Sequence, residues 1–213
     1  MKERITSTKE RPIIFSTEMV KAILDLKKTQ TRRVIKPQPT WTDGTYCVWG
    51  HTFAMGLGKM LIEEMLAYCP YGQVGDRLWV RETFCEPSNS VPFSHPAYHY
   101  SPYLYAADDN KMFIPLGGNW YQHNNDFKWS PSIFMPRLAS RINLEITNIR
   151  AERVQDISDK DVQEEGCKYP QWQGSFTSWK GAYKALWDSI NAKRGYSWES
   201  NPWVWVIEFK VIR

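Results

Sequence analysis

The chain has 213 residues with 27 basic and 23 acidic side chains, a formal net charge of +4, which admits an anionic partner but lacks the strong basic excess of a long-duplex binder. Hydrophobic residues reach 42% and aromatic residues 15%, enough for a substantial core and for rings that can also stack on bases. No apolar run approaches the ~18 residues that span a bilayer, the first residues lack a secretory core, and Cys47, Cys69, Cys85 and Cys167 stand in no C-x-x-C spacing, so one large domain with free thiols in a reducing cytoplasm is expected.

Taken in chain order, residues 1–10 are polar. Arg11 to Phe15 reads as a short strand. Ser16 is an N-cap residue, and Met19, Val20, Ile23 and Leu24 form one apolar stripe. Residues 17–27 therefore read as an amphipathic helix, with Lys27 and Lys28 at its end where positive charge suits the dipole. Lys36–Tyr46 holds two Pro and one Gly and reads as a loop. Cys69-Pro70-Tyr71-Gly72 is a second turn. Val74-Gly75-Asp76-Arg77 is a tight turn feeding a strand from Leu78 to Phe84, with Leu78, Val80 and Glu82 on one face and Trp79, Arg81 and Thr83 on the other.

Residues 85–130 are the least regular part and read as an insertion with one strand near Tyr103 to Ala107. Arg141 to Val154 alternates as a half-buried strand. Ser158 and Asp161 form a capping-box pair, and Gly166 closes that short helix as its C′ residue. Phe176, Trp179, Tyr183, Leu186, Trp187 and Ile190 keep helical spacing and mark the longest helix. Trp203 to Ile212 is apolar on both faces and reads as a central strand. Strands at both ends with helices between them indicate an α+β domain, a closed or half-closed sheet with helices on its rim.

Two segments carry chemistry. Lys27-Lys28-Thr29-Gln30-Thr31-Arg32-Arg33 brings two hydroxyls and four cations into seven residues. It is either a solvated helix terminus or a ligand site. A Thr hydroxyl becomes a usable nucleophile beside a base, and a desolvated Lys can be that base. Arg offers a planar fork to a phosphate or carbonyl oxygen. The second segment is Glu164-Glu165, two carboxylates that oppose the dipole at a helix end, the kind of local conflict that collects at functional sites. Neither a set drawn from Cys47, His51, Cys69 and Cys85 nor His95 with His99 matches a closed zinc site. Gly56-Leu57-Gly58-Lys59 lacks the rest of a phosphate loop. No metal and no cofactor are expected.

Lys28-Thr29-Gln30-Thr31-Arg32-Arg33, following an amphipathic helix, resembles the ASCH domain family, whose fold is similar to the PUA barrel. Gly75-Asp76-Arg77-Leu78-Trp79-Val80-Arg81-Glu82 looks like that family's Gly-Asp turn and strand. Asp161-Val162-Gln163-Glu164-Glu165-Gly166 looks like its short acidic helix, and Trp205-Val206-Ile207-Glu208-Phe209 like its closing strand. Lys36-Pro37-Gln38-Pro39, Cys69-Pro70-Tyr71-Gly72, the stretch from Ser130 to Arg137 and Asn201-Pro202-Trp203 look like the longer version common in phage and prophage genomes. The resemblance spans nearly the whole chain, least in 85–125, with its elements in the same order.

It implies one PUA-like β-barrel domain over 1–213 with peripheral helices and a loop-rich insertion at about 85–130, in the cytoplasm of a bacterial host and with no membrane association. Members of the family are associated with RNA or modified-nucleoside binding. Some similar proteins are amidohydrolases that remove an acyl group from N4-acylated cytidine, and others have been proposed to cut RNA. The amidohydrolase pattern of a Lys, a Thr three residues later and a Glu in the acidic helix falls here on Lys28, Thr31 and Glu165, and Arg33 matches the Arg that follows the Thr. Lys28, Arg32, Arg33 and Arg81 are expected to line one positive cleft for RNA, a nucleoside or a nucleotide, with Trp79 and Glu82 beside them. Three readings stand: a hydrolase, a non-catalytic nucleic-acid-binding module, and an accessory phage protein that packs on another protein.

Overall fold

Two apolar-rich strands near the carboxyl end organise the molecule. The computed structural model describes residues 8–42, 45–48, 51–53, 65–86, 103–108, 114–116, 119–121, 129–168 and 178–212. The strands of the main sheet are β1 (Glu10–Ile14), β2 (Gln30–Val34), β3 (Arg77–Arg81), β4 (Asn143–Arg153) and β5 (Trp203–Ile212). Their order in space is β1-β3-β4-β5-β2. Only β1 and β3 run parallel; the other neighbours are antiparallel.

The expected central strand is β5, paired to β4 on one side and β2 on the other. Val204, Trp205, Val206 and Ile207 are all buried, because elements pack on both faces. On one face Trp205, Ile207 and Phe209 join Ile13, Leu78, Val80, Leu144 and Ile146 around Val20 and Ile23 of helix α1 (Thr17–Leu24). On the other, Val204 and Val206 meet Val162 of α2 (Asp159–Glu164) and Tyr183 and Trp187 of α3 (Trp179–Asn191). Burying two faces explains why β5 reads as a continuous apolar run. In β4 the register against β5 shifts between Ile146 and Asn148. The buried set therefore changes from Leu144 and Ile146 to Ile149 and Ala151, since one extra residue reverses which side chains face the core.

The Gly75-Asp76 turn docks on the same sheet. The Gly75 amide donates to the Ile146 carbonyl and the Ile146 amide to the Asp76 carbonyl, each at 2.9 Å. Gly75 has φ 89, a conformation that favours glycine. Asp76 accepts from the Lys9 and Gln73 amides and pairs with Arg11. The fold is thus α+β, as the sequence indicates, but among the described residues no backbone ladder joins edge strands β1 and β2 into a closed barrel. The Arg33 side chain bridges them instead, its Nη2 donating to the Ile14 carbonyl at 2.5 Å.

Several boundaries differ from the sequence reading. Helix α1 stops at Leu24, not residue 27; Leu26 adopts φ 58 and the chain turns back. Residues 30–34, read as part of a helix terminus, are strand β2; a short charged strand carries too few apolar residues to show its period. The Lys36–Tyr46 loop contains a strand, Thr40–Thr42, paired with Thr45–Val48, which pairs in turn with His51–Phe53. The strand after the Gly-Asp turn ends at Arg81, and Phe84–Cys85 pairs separately with Leu104–Tyr105. Much of 85–130, together with Phe176, lies outside the described residues.

Candidate functional site

The site forms where the chain leaves α1 and meets the carboxyl end of α2. After Leu26, the Lys27 and Lys28 amides both donate to the Ala22 carbonyl, at 2.9 and 3.0 Å. This tight turn lays Lys28 antiparallel against Glu165, and the Thr29 amide donates to the Glu164 carbonyl at 2.8 Å. Glycine is required beside this contact. Gly166 has φ 79, and a Cβ there would stand 2.9 Å from Ala22 Cβ and 3.0 Å from Lys28 Cβ. Helix α2 is itself fixed at its start, where the Ser158 hydroxyl accepts from the Asp161 amide and Asp161 reaches back to the Ser158 amide. Four residues later this places the Glu165 carboxylate.

Lys28 is buried and donates to both groups Glu165 presents, Oε2 at 2.7 Å and the backbone carbonyl at 2.9 Å. Its ammonium also lies 5.7 Å from the Phe15 ring centre. Burial pushes the Lys28 amine well down; the Glu165 carboxylate pushes back, Arg33 adds to the lowering, and the net shift is downward. The other carboxylate oxygen, Glu165 Oε1, accepts from Arg32 Nη1 at 3.2 Å. Both oxygens of one buried carboxylate are therefore held by cations from the Lys28–Arg33 segment.

Arg32 spends most of its donors on carboxylates. Besides Glu165, its Nε and Nη2 reach Glu152 Oε1 at 3.1 and 2.6 Å, and Nη2 lies 3.4 Å from Asp161. Gln30 holds the same Asp161 through its carbonyl at 2.8 Å and its carboxylate at 3.0 Å. Burial alone would raise the Asp161 carboxyl; hydrogen bonds from Ser158 and Gln30 and the Arg32 charge outweigh it and hold it well below the usual carboxylate range. Arg32 thus holds Glu165 in place and also lines the pocket that opens on this cluster.

A pocket of about 350 Å³ opens on this cluster, within the range of small-molecule sites. Thr31, Arg33 and Glu165 line it, with Tyr71, Trp187 and Arg194 among the other walls. Lys28 does not line it but stands directly behind Glu165. The Thr31 hydroxyl makes no hydrogen bond among the described residues. Burial, aided by the Glu165 charge, pushes the Cys167 thiol up to about 11, which disfavours its thiolate.

The structure thus gathers Lys28, Thr31, Glu165, Arg32 and Arg33. It places Trp79, Arg81 and Glu82 elsewhere. The Arg81 guanidinium stacks 4.7 Å over the Trp79 ring and donates to the Ile133 carbonyl. Glu82 is buried against Arg141, which also binds Asp108 and lies over the Tyr105 ring. Side chains on β3 are taken up by these local partners, and none of the three lines the pocket. Sequence reasoning missed Tyr71, Trp187 and Arg194. Trp187 had a signal, the helical stripe, which reads as core; Arg194 had none. Among the described residues no group of three His, Cys, Asp or Glu is placed to hold a metal ion, and no helix is long and apolar enough to cross a membrane.

No family model matches the chain, and no curated protein matches it. Among solved structures it is similar to a crystal structure of an ASCH domain from Lactobacillus crispatus JV V101, with 10% identity and a TM-score of 0.40, covering 95% of this chain and 79% of that one. That is the family its motifs resemble.

Proposed function

We propose that this chain binds a cytidine-type nucleoside in the pocket and hydrolyses an acyl group from its exocyclic nitrogen. The observation that carries the reading is that Lys28 and Glu165, 137 positions apart, meet through a 2.7 Å hydrogen bond at a pocket also lined by Thr31. Tyr71 and Trp187 offer rings against which a base can stack. The rest of the chain is read as one domain over 1–213 that carries 85–130 as an insertion.

The Lys28–Glu165 contact supplies both a base and an acid from one proton. Passing that proton from the ammonium to Oε2 supplies a neutral amine as the base and a carboxylic acid as the proton donor. Lys28 Nζ then takes the Thr31 hydroxyl proton as Oγ1 bonds to the amide carbonyl carbon. The carbon–nitrogen bond breaks, and Glu165 gives its proton to the leaving exocyclic nitrogen. In the second half, Glu165 takes a proton from water, the hydroxide adds to the Thr31 ester, and Lys28 returns a proton to Oγ1 as the acid leaves. The pair ends in the state in which it began.

The test is acetate release from N4-acetylcytidine by the purified chain. Release that is lost in Lys28→Ala, by about 10²–10⁴-fold, supports the reading. Binding of cytidine or short RNA without release would instead favour a non-catalytic binding module, for which Arg33, Lys36 and Arg194 on the pocket wall argue. Cleavage of RNA would favour a ribonuclease.

A further inference from the structure

Two of the pocket's cations have no role in the chemistry above. Arg33 uses Nη2 on the Ile14 carbonyl, and its guanidinium stands 5.1 Å from the Phe15 ring centre. Its Nε is buried without a hydrogen-bond partner, and Nη1 makes none among the described residues. Arg194 ends the short turn Ala192–Arg194 that continues α3, is exposed, and lines the same pocket. Neither arginine forms an ion pair among the described residues. This contrasts with Arg32, Arg141 and Arg150, which each hold two or more carboxylates.

The carboxylate that faces this pocket, Glu165, already has both oxygens engaged by Lys28 and Arg32. Among the described residues the pocket wall therefore carries more cations than carboxylates. Burial pushes the Arg33 guanidinium down from its ordinary value; Tyr71, Glu165 and Tyr183 push back, and Arg194 adds a smaller like-charge lowering. An anionic group placed between the two would relieve both penalties. Two guanidinium groups with free donors match a phosphate, whose oxygens accept paired hydrogen bonds. Position agrees: Arg33 lies two residues beyond Thr31 on β2, on the same side of the strand and roughly 7 Å along it.

We propose that Arg33 and Arg194 form a phosphate subsite, so that the pocket takes a cytidine nucleotide in preference to the free nucleoside. This rests on the pocket being the nucleoside site, and not on hydrolysis taking place there. The test is isothermal titration of the full chain with cytidine, cytidine 5′-monophosphate and inorganic phosphate, at two salt concentrations. The nucleotide should bind about tenfold or more tightly than the nucleoside, with a preference that shrinks as salt rises, and inorganic phosphate should compete with it. Arg194→Ala and Arg33→Gln should each bring the ratio of nucleotide to nucleoside affinity toward one. Arg194 is exposed, so its variant keeps the test decisive if Arg33→Gln does not fold. Equal affinities in the wild type, or an undiminished ratio in Arg194→Ala, overturn the subsite even where N4-acetylcytidine is hydrolysed. A preserved ratio in the wild type that collapses in Arg194→Ala upholds it even where no acetate is released. Binding of neither ligand overturns both proposals.

Discussion

Lys28 Nζ lies 2.7 Å from Glu165 Oε2, with side-chain exposures of 0% and 5%. A buried pair of this kind is a poor source of net stability, but removing one member leaves an uncompensated charge. Lys28→Ala should therefore lower stability by about 3–5 kcal/mol, read from urea unfolding. Lys28→Met combined with Glu165→Gln should cost less than the sum of the two single changes, because it removes both charges together. Additive effects would show that the two residues are not energetically coupled.

Gly166→Ala tests the close approach of the two segments. The residue has φ 79, and its new Cβ would fall 2.9 Å from Ala22 Cβ and 3.0 Å from Lys28 Cβ. Left-handed backbone alone costs about 1–2 kcal/mol for an ordinary residue, and displacing Lys28 adds to it. Thermal unfolding should show the loss, and acetate release should fall with it. Unchanged stability would mean that the turn relaxes without moving Lys28.

Acid should weaken the fold through Asp161 and Asp76. Both carboxyls are held below their ordinary value of 3.8: against the opposing effect of burial, Asp161 by Ser158, Gln30 and Arg32, and Asp76 by the Lys9 and Gln73 amides and Arg11. A depressed folded-state pKa contributes stability above the unfolded value, and that contribution is lost as pH falls through the folded value. Stability should thus decline below about pH 4, and the decline should be shallower in Asp161→Asn. An identical acid slope in that variant would contradict the assignment.

The order of elements and their caps were legible because they depend on neighbours in the chain. Ser158 and Asp161 name their own helix, and Gly166 marks its end. The carboxylates around Arg32 were not legible, because Glu152, Asp161 and Glu165 lie 120 to 133 positions away, where no local pattern points. Trp79, Arg81 and Glu82 alternate correctly on their strand, but alternation does not reveal that Ile133 and Arg141 occupy them. The convergence of Lys28, Thr31 and Glu165 was visible through the family resemblance alone, since composition equally suits a solvated helix end.

The position of Arg81 has its own test. Arg81 binds the Ile133 carbonyl and Trp79, outside the pocket. Arg81→Ala should leave cytidine affinity within about twofold of the wild type, as for a surface change distant from the site. A loss near tenfold by titration would place β3 back in the binding surface.

The alkaline limb of turnover should report Lys28. The proposed chemistry needs one proton shared by Lys28 and Glu165, and losing it removes the acid for the leaving nitrogen. Because burial lowers the Lys28 amine from 10.5, activity should fall on the alkaline side at a pH below that value. A limb at or above it would argue that Lys28 is not the titrating group.

The most direct measurement is single-turnover release of cytidine and acetate from N4-acetylcytidine by the wild type, Thr31→Ala and Glu165→Gln, each shown to be folded. The account predicts release by the wild type and a loss of about 10²-fold or more in each variant. No release by the wild type contradicts the hydrolase outright. Release that survives in Thr31→Ala at most of the wild-type rate contradicts Thr31 as the nucleophile and leaves direct attack by water.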